Sequence, residues 1–128
     1  MREESLMRLV LALFLLLGSV SWADMTTINR KGGTVDVESR LVPDRENIVV
    51  FHHKSTYLSH QLYTSLGKLS ARRKDLPILI VEVPNLDSPV ARQYRLQTVP
   101  YVRIYDAKGK LKSEGSPAYK AVIEMTEN

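Results

Sequence analysis

The sequence predicts a single α/β domain built on a parallel βαβ core, and three stretches carry that expectation. Asn47-Ile48-Val49-Val50-Phe51 and Leu76–Val83 are nearly continuous apolar, β-branched runs of strand length, the pattern of strands buried on both faces. Between them, Leu58, Leu62, Leu66 and Leu69 recur at spacings of four, four and three, with Tyr63 adjoining, which is one stripe of an amphipathic helix. Strand, crossover helix, strand is the parallel unit of α/β architecture.

The elements follow in chain order. Leu9–Leu17 is a dense apolar run followed by Gly18-Ser19-Val20 and by Ser21-Trp22-Ala23, whose small residues fit the cleavage pattern of a secretory signal peptide. Residues 1–23 are read as that peptide, cleaved after Ala23, because the apolar run falls short of the roughly 20 residues that a spanning helix needs. Met1-Arg2-Glu3-Glu4 places two acids where basic residues are expected, so Met7-Arg8 makes the cleaner start. Residues 24–33 are polar and end in Lys31-Gly32-Gly33, the composition of a flexible lead-in. The domain proper is expected over 34–128.

Within it, Thr34-Val35-Asp36-Val37 is short and β-branched, the pattern of an edge strand. Glu38–Pro43 has room for one helical turn, closed by Pro43 and Asp44. The leucine stripe predicts a helix over Thr56–Lys74, capped by Ser55 or Thr56 and closed by Arg72, Arg73 and Lys74, which suit the negative end of its dipole. Asp87-Ser88-Pro89 reads as a cap with proline in the first turn of a short helix to Tyr94. Tyr101–Tyr105 and Lys110–Glu114 flank Asp106-Ala107-Lys108-Gly109 as an antiparallel hairpin. Gly115-Ser116-Pro117 opens a last helix whose apolar face is Ala118, Val122 and Met125.

Composition excludes several chemistries. The 128 residues contain no cysteine. Disulfides, thiolate metal sites and cysteine nucleophiles are therefore absent together. Net charge is +4, but the only basic run is Arg72-Arg73-Lys74, with no aromatic interleaving. A solvated helix end explains that run, and no nucleic-acid surface is assigned. His52, His53 and His60 gather at the end of the first buried strand, yet successive strand residues face opposite ways, so at most two can meet. Zinc wants three or four ligands, and no metal site or cofactor is assigned. A serine–histidine hydrolase built on Ser59 lacks an orienting carboxylate and an oxyanion hole at any recognisable spacing.

The order of elements, with a proline just before the fourth strand, resembles the thioredoxin fold across Thr34–Glu127. Asn47–Phe51 is similar to that family's central strand, which ends in Phe and runs into Trp-Cys-Gly-Pro-Cys. Asp87–Tyr94 with Arg95-Leu96-Gln97-Thr98-Val99-Pro100 resembles the approach to the family's cis-proline, and Tyr105–Lys110 its hairpin turn. The resemblance implies a thioredoxin-like α/β fold, a central mixed β-sheet flanked by helices in the order β-α-β-α-β-α-β-β-α.

The resemblance also places Thr56 and Ser59 where the redox cysteines would be, Tyr57 and Leu58 between them, and Val50 where thioredoxins keep a buried acid. Dithiol chemistry needs a low-pKa thiolate and a resolving thiol. Hydroxyls at 56 and 59 supply neither, so disulfide oxidoreductase activity is excluded. The resemblance leaves a surface for an extended protein or peptide, lined by Tyr57, Leu58, Thr98, Val99, Pro100 and Tyr101, where the residue before the proline offers its backbone as an added strand does. Two alternatives stand beside it. A glutathione- or thiol-substrate-binding transferase would use the hydroxyl of Thr56 or Tyr57 at a helix N-terminus, where an anion is favoured. A structural partner in an envelope assembly would need neither.

Overall fold

The computed structural model describes residues 25–128. The segment read as a signal peptide, and the choice between Met1 and Met7, lie outside them. In chain order the elements are β1 (Thr26–Thr27), α1 (Val37–Arg40), β2 (Asn47–His52), α2 (Tyr57–Arg72), β3 (Ile78–Glu82), α3 (Pro89–Gln93), β4 (Tyr101–Tyr105), β5 (Leu111–Glu114) and α4 (Ser116–Glu127). The strands form one mixed sheet in the order β1-β3-β2-β4-β5. β2 is its centre, parallel to β3 with Phe51 opposite Val81, and antiparallel to β4 with Phe51 opposite Tyr101. Every residue of β2 is buried, as its unbroken apolar sequence requires.

Alternation along the strands divides the core into two layers. Ile48, Val50, Ile78, Ile80, Val102 and Ile104 face one side, where Leu62, Leu66 and Leu69 of α2 and Ala118 and Val122 of α4 cover them. Val49, Phe51, Leu79, Val81 and Tyr105 face the other, where Val37 of α1 and Val90 and Ala91 of α3 close the layer. The leucine stripe is thus the seam of α2 against the sheet, except for Leu58, which is exposed. Asn47 is the polar exception inside β2. It is fully buried and ties the preceding loop down, donating to Val42 O at 3.1 Å and Arg45 O at 2.8 Å and accepting from Val42 N–H at 2.9 Å.

The amino-terminal part differs from the sequence expectation in two places. Residues 24–33 were expected to be a flexible lead-in, but Thr26–Thr27 pair in parallel with Leu79 and Ile80 as the sheet's edge strand. Ile28 is buried behind them. Asn29 then locks the chain to β3: its side-chain amide donates to Glu82 O at 2.9 Å and Gly33 O at 3.0 Å, and its carbonyl accepts from Glu82 N–H at 2.7 Å. Gly32 is there for contact rather than flexibility. It sits at φ +75°, and a Cβ would come within 2.6 Å of Pro84 Cδ.

The second difference is Thr34–Val37, expected as an edge strand. Its backbone is satisfied by side chains instead: Val35 N–H donates to Gln93 Oε1 at 3.0 Å, Val35 O accepts from Tyr94 Oη at 2.7 Å, and Val37 N–H donates to Tyr94 Oη at 3.0 Å. With those groups paired to the end of α3, no neighbouring strand is needed. The element order is therefore β-α-β-α-β-α-β-β-α with Thr26–Thr27 as the first strand. Ser88 stands immediately before α3, with Pro89 in its first turn.

Asn29→Ala separates a docked amino-terminal segment from a loose one. Losing the three bonds to Glu82 and Gly33 is expected to cost roughly 1–3 kcal/mol, read as a lower midpoint in urea unfolding. An unchanged midpoint would mean the segment contributes nothing to the fold.

Candidate functional site

β2 delivers the chain at His52, and α2 takes it up at Tyr57, so residues 53–56 make the bend between strand and helix. Thr56 caps the helix: its Oγ1 accepts from Ser59 N–H at 3.3 Å, in the extended conformation expected of an N-cap. Ser59 is fully buried, and its Oγ accepts from His53 N–H at 3.3 Å. His53 contributes in turn, its Nδ1 accepting from Ser55 N–H at 2.9 Å. The two hydroxyls that the resemblance equates with the redox cysteines therefore fix the bend's geometry. Val50, equated with the buried acid, is an ordinary member of the α2-side core.

Beyond the cap the helix turns two large apolar side chains outward. Tyr57 is 73 % exposed and Leu58 is 55 % exposed, too much for residues that a domain's own core could cover. The Tyr57 hydroxyl accepts from Gln61 Nε2 at 2.8 Å, one turn along. At the same end of the sheet, Thr98 is exposed while Val99, Pro100 and Tyr101 are half-buried. The Val99–Pro100 peptide bond is cis. Tyr101 is held beside β2 by its pairing with Phe51, the two rings edge-on at 5.9 Å. Among the described residues, neither the N–H nor the C=O of Thr98 or Val99 takes part in a hydrogen bond. No hydrogen bond joins residues 56–59 to 98–101 within the same set; what they share is the end of the sheet.

A second feature opens at the carboxyl ends of β2 and β3, a cavity of about 380 Å³. Lys31, His52, Lys54 and Glu82 line it, with Val83 and Pro84 as apolar wall. Lys54 Nζ lies 3.6 Å from Glu82 Oε1, and the Lys31 N–H donates to Glu82 Oε2 at 3.3 Å. The His52 ring packs on Tyr63 with centroids 5.0 Å apart. Burial lowers the His52 pKa, and the neighbouring His53 and Lys54 push it the same way. Of the other histidines, His53 is half-buried and His60 exposed. Among the described residues no three His, Asp or Glu side chains come together as metal ligands. Sequence reasoning singled out His52 and His53 but missed the cavity, because its other walls come from Lys31 and from the end of β3.

No protein-family model matches this sequence, and no curated protein does. Solved structures do. Thioredoxin from Trypanosoma brucei brucei is 10% identical, with a TM-score of 0.61 over 85% of this chain and 94% of that one. Thioredoxin from Trichomonas vaginalis is 16% identical, with a TM-score of 0.62 over 80% and 96%. Thioredoxin f from spinach chloroplast is 14% identical, with a TM-score of 0.61 over 82% and 92%. The chain has a thioredoxin-like fold. It carries that fold with no cysteine anywhere in its sequence. A thioredoxin-like chain without a thiol has no atom to form the mixed disulfide through which dithiol exchange runs.

Two measurements probe this junction. Thr56→Ala should cost about 1 kcal/mol through the lost cap, and Thr56→Ser should restore most of it; equal loss in both would show that the hydroxyl is not the capping group. His52 gives a pH signature. Its folded pKa lies below the ordinary value, so above about pH 6.5 the ring is neutral in both states. As pH falls through that value the unfolded chain protonates first, and stability declines until the folded ring also protonates. His52→Phe is expected to flatten that part of the stability–pH curve; a curve of unchanged shape would assign the decline to other groups.

Proposed function

We propose that this chain is an exported, redox-inactive thioredoxin-like domain that acts by holding an extended protein or peptide segment beside Pro100. The observation that supports this reading most is the open backbone of Thr98 and Val99. Unpaired peptide groups at a sheet's end are the donors and acceptors that an added strand uses, and such pairing needs no reactive side chain. Tyr57 and Leu58 supply exposed apolar contact at the same end of the sheet, so main-chain bonds and side-chain burial are both on offer to one partner. Export is proposed from the apolar run Leu9–Leu17 and the small residues of Ser21-Trp22-Ala23.

Site-specific photocrosslinking in the native envelope tests the reading. A crosslinker at Leu58 or Thr98 should give the same discrete adduct, while one at Lys120 on α4 should give none. Leu58→Asp should reduce the Thr98 adduct, with binding weakened roughly tenfold, as losing one buried leucine contact implies. An adduct from Lys120 alone would overturn the peptide surface in favour of an assembly role through the α4 face. Saturable binding of millimolar glutathione that Thr56→Val weakens would overturn it in favour of a thiol-substrate transferase.

A further inference from the structure

We propose that the cavity at the carboxyl ends of β2 and β3 binds a small organic carboxylate, one acid group on a compact apolar body. This site is separate from the surface beside Pro100 and does not depend on it. Its location is the place where open α/β sheets commonly hold ligands, outside the carboxyl ends of adjacent parallel strands. Charge, polarity and shape each point to the same class of ligand.

Two lysines, Lys31 and Lys54, line the cavity against one acidic residue, Glu82. Glu82 is already engaged, by Lys54 Nζ at 3.6 Å and by the Lys31 N–H at 3.3 Å. The Lys31 ammonium itself makes no ion pair among the described residues. One cation is thus left over, and a ligand carrying one negative charge balances it.

The two histidines of the lining add polar groups. His52 is only 9 % exposed, yet among the described residues its imidazole has no hydrogen-bond partner, only the stacked ring of Tyr63. Its ring nitrogens are nevertheless not sealed from solvent, so a ligand acceptor can take the place of water there. His53 receives Ser55 N–H on Nδ1, which leaves Nε2 to carry the proton of the neutral ring as a donor. Val83 and Pro84 form the apolar wall, and about 380 Å³ is the small end of ligand-sized cavities. A cation finds one carboxylate already paired, and a phosphate dianion finds one spare positive charge where it needs two. The carboxylate fits.

The site carries its own reporter. Burial lowers the His52 pKa, His53, Lys54 and His60 push it the same way, and Glu82 alone raises it; the Tyr63 ring packs on its face. A carboxylate bound beside His52 favours the imidazolium and raises that pKa. By linkage, binding then tightens as pH falls through the titration of His52.

Benzoate is a suitable probe, followed by NMR of the mature chain at the His52 ring and the Val83 amide, with benzamide and inorganic phosphate as comparators. Saturable shifts with benzoate, an upward move of the His52 titration midpoint and little response to benzamide are expected. Lys31→Gln, with its amide spectrum otherwise retained, should weaken benzoate roughly tenfold, about the worth of one charged contact. Lys54→Gln gives a second reading should Lys31→Gln disturb the loop at 31–33. Absence of saturable benzoate shifts, equal binding of benzamide, or phosphate binding as strongly at the same resonances would each overturn it. So would folded lysine variants that bind benzoate unchanged.

Discussion

With both edges paired and both faces covered, β2 has no freedom in where it ends. Ile48 and Val50 are fixed under α2 and α4, Val49 and Phe51 over α1 and α3, and the ladders to β3 and β4 set its register. A slip of one residue would drive the whole set to the wrong face. His52 is therefore delivered to one position, and the bend to α2, the Lys54–Glu82 pair and the seat of Tyr101 beside Phe51 all follow. Both candidate surfaces hang from the end of this strand, one on the β4 side and one on the β3 side.

That constraint explains how a thioredoxin-like fold keeps this bend without a thiol. The bend between β2 and α2 needs its amides satisfied whatever residues occupy it. Thr56 and Ser59 do that with hydroxyls, one capping the helix and one receiving His53 N–H. The geometry is thus stable without a thiol, and the neighbouring backbone at Thr98–Val99 stays in place because β4 begins two residues later, locked to Phe51. What such a site can offer is shape, open peptide groups and the exposed faces of Tyr57 and Leu58.

The parts of the fold legible in the sequence are those where period and burial coincide. Asn47–Phe51 and Leu62–Leu66–Leu69 read correctly because each buries the face that its pattern displays. Thr34–Val37 read wrongly because β-branched residues favour extended backbone wherever it is paired, and here the partners are the side chains of Gln93 and Tyr94 rather than a strand. β1 was invisible for the opposite reason: two exposed threonines carry no periodic signal, and the edge is pinned by Ile28 and by Asn29 reaching across to β3. Gly32 looked like a linker residue, whereas Pro84, more than fifty positions away in sequence, is what requires it. The cap at Thr56 was legible because its partner is three residues off. The cavity was not, since Lys31, His52 and Glu82 meet only through the parallel register of β1, β3 and β2.

Hydrogen exchange at single-residue resolution decides whether the proposed surface beside Pro100 is used, comparing the chain alone with the chain trapped with whatever protein is captured by a crosslinker at Leu58. The Thr98 and Val99 amides should exchange rapidly in the free chain, having no acceptor, and become protected in the complex, while the amides of β1 at the far edge of the sheet do not change. Protection confined to another surface, with Thr98 and Val99 still exchanging freely, would show that the partner binds elsewhere.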